Sequence, residues 1–170
     1  IGEKIILENV DITEGCDPKS KLEHRTFYNM TTVLDSFKEI WDHVDLFVIE
    51  KQMQFGMRVN PMAIKLGQHC YSYFSFNYGM TKEILEFPAY HKTQVLGSEK
   101  IASKRKTKAG KTSYKAIDKP ARKKWCIAKA IEIMKLRNDN ETLDQINSSK
   151  KKDDLCDVIC QLQSWKILNC

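Results

Sequence analysis

No apolar run in this chain approaches the roughly 20 residues that a helix needs to cross a bilayer. No signal-peptide pattern opens it. The six cysteines (Cys16, Cys70, Cys126, Cys156, Cys160 and Cys170) are scattered, and none forms a CxxC pair. Cys156 and Cys160 stand one helical turn apart, but no histidine nearby completes a zinc site. Buried free thiols in a reducing compartment are therefore expected, and the Asn-x-Ser/Thr triplets at Asn29, Asn140 and Asn147 carry little weight. The histidines (His24, His43, His69 and His91) have no metal-binding spacing. There is no internal repeat. A phosphate-binding P-loop is also absent. Gly110-Lys111-Thr112 mimics the end of one, but the motif needs a glycine where Arg105 stands, and a strand where a lysine-rich segment lies.

What is present is charge, unevenly placed. The chain has 170 residues and a formal net charge of +6. Eleven lysines and arginines and one acid, Asp118, lie between Lys100 and Lys124, so this segment is net +10 and the remainder net −4. A concentrated basic strip beside acidic clusters suits a polyanionic partner. A solvated, charged loop is the plainer alternative.

The length suits one domain, residues 1–170, with a buried core. Residues 3–12 alternate loosely and predict a strand. A polar loop follows to residue 25. Val33, Leu34, Phe37, Ile40 and Trp41 mark a helix over 31–43. The apolar run Asp45–Glu50 predicts a buried, central, parallel strand. A helix is expected over 61–74 after Pro61, with 71–78 continuing it or turning extended. Ile84–Pro88 predicts a short strand. Residues 98–119 predict a basic, mobile loop. A helix follows near Pro120, burying Trp125, Ile127, Ala130, Ile131 and Met134, and 141–149 predicts a short helical turn. The last helix carries an apolar stripe of Leu155, Val158, Ile159, Leu162 and Trp165. Strands separated by helices make an α/β domain.

The acids carry the chemistry. Asp154 and Asp157, three apart on the last helix, share a face, and two like charges held that close repel unless a cation or proton lies between them. Acids at a helix start also simply favour the dipole. Glu50 ends a strand, where ligands of open α/β sheets gather, although such an acid can equally face water or pair with Lys51. Three carboxylates suit magnesium or manganese, hard cations that prefer oxygen, and two such ions can hold and hydrolyse a phosphodiester.

These segments, taken in order, resemble the RuvC-like Holliday junction resolvases of the RNase H-like superfamily, above all the poxvirus and large-DNA-virus branch. FVIEKQ is similar to the strand carrying the family's central glutamate, which falls on Glu50. MAIKLGQHCYSYF is similar to the helix that follows. FPAYHKTQVLG resembles the next strand and turn, with a family lysine at Lys92. KPARKKWCIAKAIEIM resembles a helix whose active-site lysine falls on Lys123 or Lys124. KKKDDLCDV matches the terminal D-x-x-D at Asp154 and Asp157, with Asp153 an alternative to Asp154.

The resemblance implies an RNase H-like mixed β-sheet flanked by helices, in a homodimer that nicks four-way DNA junctions symmetrically with Mg²⁺ or Mn²⁺, two ions in number. Glu50, Asp154 and Asp157 would hold metal. Lys92 and Lys124, or Lys123 in its place, would act on the scissile phosphate. Lys104, Arg105, Lys106, Lys108, Lys111, Lys119, Arg122 and Lys123 would follow the DNA backbone. The expected setting is intracellular: a viral replication compartment or virion, with no membrane. One family feature has no counterpart in the chain, the aspartate of the first strand, so the first two strands are expected upstream of Ile1. A non-catalytic nucleic-acid-binding protein on the same scaffold is the alternative function. A structural interaction protein whose basic loop is only solvated is a third.

Overall fold

The computed structural model describes residues 5–17, 19, 22–53, 59–106 and 109–170, without the side chains of Lys104 and Arg105. The chain is mixed α/β and divides into two compact units, one of residues 10–89 and one of residues 1–9 with 90–170. Among the described residues, no helix is long and apolar enough to cross a membrane.

In the 10–89 unit, helices α1 (His24–Ser36) and α2 (Lys38–Trp41) precede strand β1 (Leu46–Lys51), helix α3 (Pro61–Tyr78) and strand β2 (Glu83–Pro88). The expected strand, helix and strand are all present, and β1 and β2 pair in parallel, with Glu50 opposite Phe87. Among the described residues β2 is the one ladder neighbour of β1, in a two-stranded sheet. Helix α3 starts sharply because the Asn60 side chain accepts from the backbone N–H groups of Met62 and Ala63 and Pro61 opens the first turn. It runs through the aromatic stretch to Tyr78 rather than stopping at 74, because Phe74 and Tyr78, one turn apart, are both buried against β1. Phe47 stacks on Phe74 at 4.1 Å, and Trp41 meets Phe74 edge-on at 5.5 Å. Lys82 Nζ donates to the carbonyls of Trp41, Asp42 and Val44, each at 2.7 Å, and so satisfies the chain end of α2.

In the other unit, α4 (His91–Val95) leads to β3 (Lys100–Lys106), β4 (Thr112–Ala116), α5 (Lys119–Leu136), α6 (Asn140–Ser148) and α7 (Lys152–Asn169). The Asp118 side chain caps α5 by accepting from Ala121 N–H at 2.8 Å, and Pro120 lies in its first turn. Asp139 caps α6 in the same way through Thr142.

Three expectations change here. The segment expected as a basic loop over 98–119 carries an antiparallel ribbon, β3 with β4, pairing Lys100 with Ala116 and Ala102 with Tyr114. Its lysines hid the alternation because both faces of an exposed ribbon tolerate charge. The strand expected over 3–12 is absent among its described residues. That segment is held by side chains instead: Leu7 is buried, Ile5 packs on the core, and Gln145 Nε2 donates to the Leu7 carbonyl.

The third change is the buried face of α7. Val158 and Leu162 are 59% and 50% exposed. The buried line is Cys156, Cys160 and Ser164, at four-residue intervals, flanked by Leu155 and Ile159. On α5 the matching residues are Cys126, Ala130 and Met134, also at four-residue intervals, with Trp125, Ile127 and Ile131 only partly buried. Small side chains let two helices approach closely, which the large ones of the expected stripe cannot do. The contacts advance together along both helices. Lys123 meets Asp153, the Cys126 thiol reaches the Cys156 carbonyl at 3.6 Å, and the Cys160 thiol reaches the Cys126 carbonyl at 3.5 Å. Helices α5 and α7 therefore run in the same direction, with their N-termini at one end.

The seam makes a counter-intuitive prediction. Cys160→Leu adds apolar surface yet overpacks the seam, and is expected to cost about 1–3 kcal/mol. Val158→Ala removes apolar surface from an exposed site and is expected to stay within about 0.5 kcal/mol. Urea unfolding measures both, and the reverse order would restore the stripe expected from the sequence.

Candidate functional site

The shared N-terminal end of α5 and α7 gathers the polar residues. Asp153 and Asp154 lie in the first turn of α7, where acids complement the positive end of the helix dipole. No side-chain hydrogen bond caps this helix at Lys151. Asp157 lies one turn beyond Asp153, on the side facing α5 and α4.

Asp157 is held from two directions. Lys92 Nζ lies 2.8 Å from its Oδ2. The Cys126 thiol donates to its Oδ1 at 2.9 Å. The Lys92 side chain is only 9% exposed, whereas that of Asp157 is 44% exposed. Lys92 is buried because α4 packs on α7 and Leu96, one turn along α4, packs on the core. A buried ammonium needs a partner close at hand, and Asp157 is that partner. The adjacent Cys160 thiol, burial and the Asp157 carboxylate all push the Cys126 thiol pKa up, so it remains a protonated donor. Burial likewise lifts Cys156, to about 11.

Lys123 pairs with Asp153 at the same end. The pair is more open to water than the first. The hydrogen bond from Lys123 holds Asp153 below the usual carboxylate range, and the same bond pushes Lys123 up. Lys124 is exposed and follows Lys123 on α5, turned about 100° away. Of the two lysines left open by the sequence, Lys123 is the one that reaches the acids of α7. Asp154 is exposed.

Three segments distant in the sequence thus meet: HKTQV with Lys92, KPARKKWC with Lys123 and Cys126, and KKDDLCDV with Asp153 and Asp157. Glu50 lies at the end of β1 in the 10–89 unit, half-buried, with Gln52 Nε2 3.2 Å from its Oε1. Among the described residues, no three of His, Cys, Asp and Glu gather closely enough to hold a metal ion. Asp154 and Asp157 have the hard oxygen donors that magnesium or manganese takes, but Asp157 is engaged by Lys92 and Cys126. The donors on α7 alone do not make a metal centre.

Of the expected DNA-contacting residues, Lys106, Lys111, Lys119 and Lys123 are exposed, and Arg122 is half-buried. Lys108 and the side chains of Lys104 and Arg105 lie outside the described residues. Cys126 was missed as a site residue by sequence reasoning. Its spacing was the available signal, since it stands three residues beyond Lys123 on the same helix face.

No protein-family model matches the chain, and no solved structure matches it. Two viral relatives do. The chain is 43% identical over 148 residues to "Uncharacterized protein 170L" of Invertebrate iridescent virus 6, a match covering 84% of this chain and 58% of that protein. It is 29% identical over 133 residues to "Uncharacterized protein 97L" of Invertebrate iridescent virus 3, covering 78% and 53%. The chain is similar to iridescent-virus proteins. It spans a little over half the length of each of these two.

The ion pair at the mouth of the site has a definite pH dependence. Asp153 is expected to titrate below its ordinary 3.8. A lowered acid pKa means that the stabilisation from this pair is present above the ordinary carboxylate range. It is lost as pH falls through the lowered Asp153 midpoint. Carboxyl-carbon NMR should give that lowered midpoint, and Lys123→Met should return it towards 3.8. A midpoint unmoved by Lys123→Met would remove the pairing.

Proposed function

We propose that this is a viral DNA endonuclease that resolves four-way junctions, of the RuvC-like, RNase H-like kind that its motifs resemble, acting as a homodimer. The observation that carries the reading is the convergence at the α5–α7 end. Lys92, Lys123, Asp153 and Asp157 come from three separate motifs of the resemblance and meet through two ion pairs. The similarity to iridescent-virus proteins supports the viral part of the reading.

The chemistry of that end suits a phosphodiester. Two parallel helices point their positive ends there, and the helix dipole at such ends favours negative charge. Lys92 is a buried cation fixed by Asp157, whose other oxygen accepts from the Cys126 thiol. A cation fixed in advance can stabilise negative charge developing on the phosphate oxygens without reorganising. Lys123 is more exposed, and suits the approaching strand. Divalent metal would supply the attacking hydroxide and stabilise the leaving oxygen. Asp154 and Asp157 would be the donors that this unit offers.

The test is cleavage of a synthetic four-way junction by the full-length gene product, with Mg²⁺ and with chelator. Paired nicks are expected with the metal alone. Lys92→Ala should slow single-turnover cleavage by about 10²-fold, the usual scale for losing one charge-stabilising group, with junction affinity nearly unchanged. Asp157→Asn should also suppress cleavage. Junction binding with no cleavage under any divalent metal would favour a non-catalytic binding protein. Absence of junction binding at low salt would end the reading.

A further inference from the structure

A second feature of the 90–170 unit lies outside the lysine–aspartate cluster. A groove of about 300 Å³, at the low end for a ligand cleft, runs between the start of α4 and the base of the β3–β4 ribbon. Two tyrosines line it, Tyr90 and Tyr114, and both are largely exposed, at 56% and 65%. Lys100 and Lys115 line it with them, beside Gln94 and one acid, Glu99.

The ribbon register explains why Tyr114 stands uncovered. Directly paired residues of an antiparallel ribbon point to the same face, as do residues two apart along a strand. Tyr114 pairs with Ala102, and Ala116 with Lys100. Among its described neighbours on that face are two alanines and Lys100, and the Tyr114 ring stays largely exposed. Tyr90 immediately precedes α4, and its ring lies 4.4 Å from that of His91. Two residues later comes Lys92, which holds Asp157.

An exposed aromatic face bordered by lysines is the arrangement that holds single-stranded nucleic acid. The ring stacks on a base and the ammonium groups follow the backbone. The surrounding Lys100–Lys124 segment, at net +10, favours a polyanion over an acidic or neutral peptide side chain. We propose that the groove between Tyr90 and Tyr114 takes an unstacked base of single-stranded DNA, with Lys100, on the same ribbon face as Tyr114, on a flanking phosphate. This deepens the nuclease reading and rests on it. It names the local form of DNA at the site, a base out of its stack beside the start of α4, the helix that carries Lys92.

The probe is a labelled oligothymidylate of about ten nucleotides, within the usual range of single-strand sites, read by fluorescence anisotropy across salt concentrations. Tyr90→Ala and Tyr114→Ala should each weaken binding about tenfold at fixed salt and leave the salt slope unchanged, since stacking releases no counterions. Tyr90→Phe and Tyr114→Phe should bind as the wild type does. Lys100→Gln should reduce the slope by about 0.7, the single-strand value per phosphate contact. Both tyrosines are exposed, so the variants should fold, and an unchanged unfolding midpoint checks this.

Wild-type protein that fails to bind the oligonucleotide overturns the proposal, as do alanine variants that bind it undiminished. Phenylalanine variants as weak as the alanine ones would assign the effect to the hydroxyls and also overturn it. Junction cleavage assayed in parallel separates this from the function proposed above. Cleavage without oligonucleotide binding leaves the nuclease and removes the groove. Tyrosine-dependent binding without cleavage leaves the groove and removes the nuclease.

Discussion

The close approach of α5 and α7 is the constraint on which the 90–170 unit depends. Cys126, Ala130, Cys156, Cys160 and Ser164 are almost wholly excluded from water. A larger side chain at any of them would push the helices apart. Because the seam is narrow, the polar end of each helix is brought against the other. Lys123 then reaches Asp153, and the Cys126 thiol reaches Asp157. The same cysteine that packs the seam also orients a carboxylate, so packing and site geometry are fixed by one residue.

The seam also decides which charges can be buried. Lys92 belongs to a five-residue helix that could not stand alone. It is held by packing against α7, and its ammonium is carried inside with it. A cation so placed is tolerable only while Asp157 faces it. Asp157 in turn is oriented by the parallel arrangement of the two long helices. Charge in this unit is thus graded. Lys92 is buried and fixed, Lys123 is half-open, and Lys100, Lys106 and Lys115 of the ribbon lie in water. Such a gradient suits an anion drawn in from solvent and then held against an immobile cation.

The 10–89 unit is organised differently. Its core is aromatic: Phe47, Phe74 and Tyr78 are buried, with Trp41 packed on them. Large flat rings fill the layer between a parallel strand pair and the helix that joins it. Polar tips are satisfied at the rim, where the Tyr78 hydroxyl donates to Asp42 at 2.9 Å. Glu50 is positioned by β1 and stands opposite Phe87 at the far end of the pair.

The sequence alone determined the elements whose signals are local. Pro61 and Pro120 announce helix starts because a proline in the first turn is a local signal, and the structure adds the Asn60 and Asp118 caps beside them. The apolar run before Glu50 announces a strand, although only Phe47 of it is buried among the described residues. The two candidate lysines and the acids of α7 were legible as motifs. Tertiary structure decided which of them meet. It chose Lys123 over Lys124 as the partner of the acids, because only one of two successive helix residues can face a neighbouring helix. It turned the buried face of α7 onto its small residues, because interhelical distance is a property of two helices and is written in neither. It made a ribbon of the basic segment, because strand pairing joins residues whose side chains carry no apolar signal. It also brought Tyr90 and Tyr114 to one groove, a juxtaposition across 24 positions that no local pattern encodes.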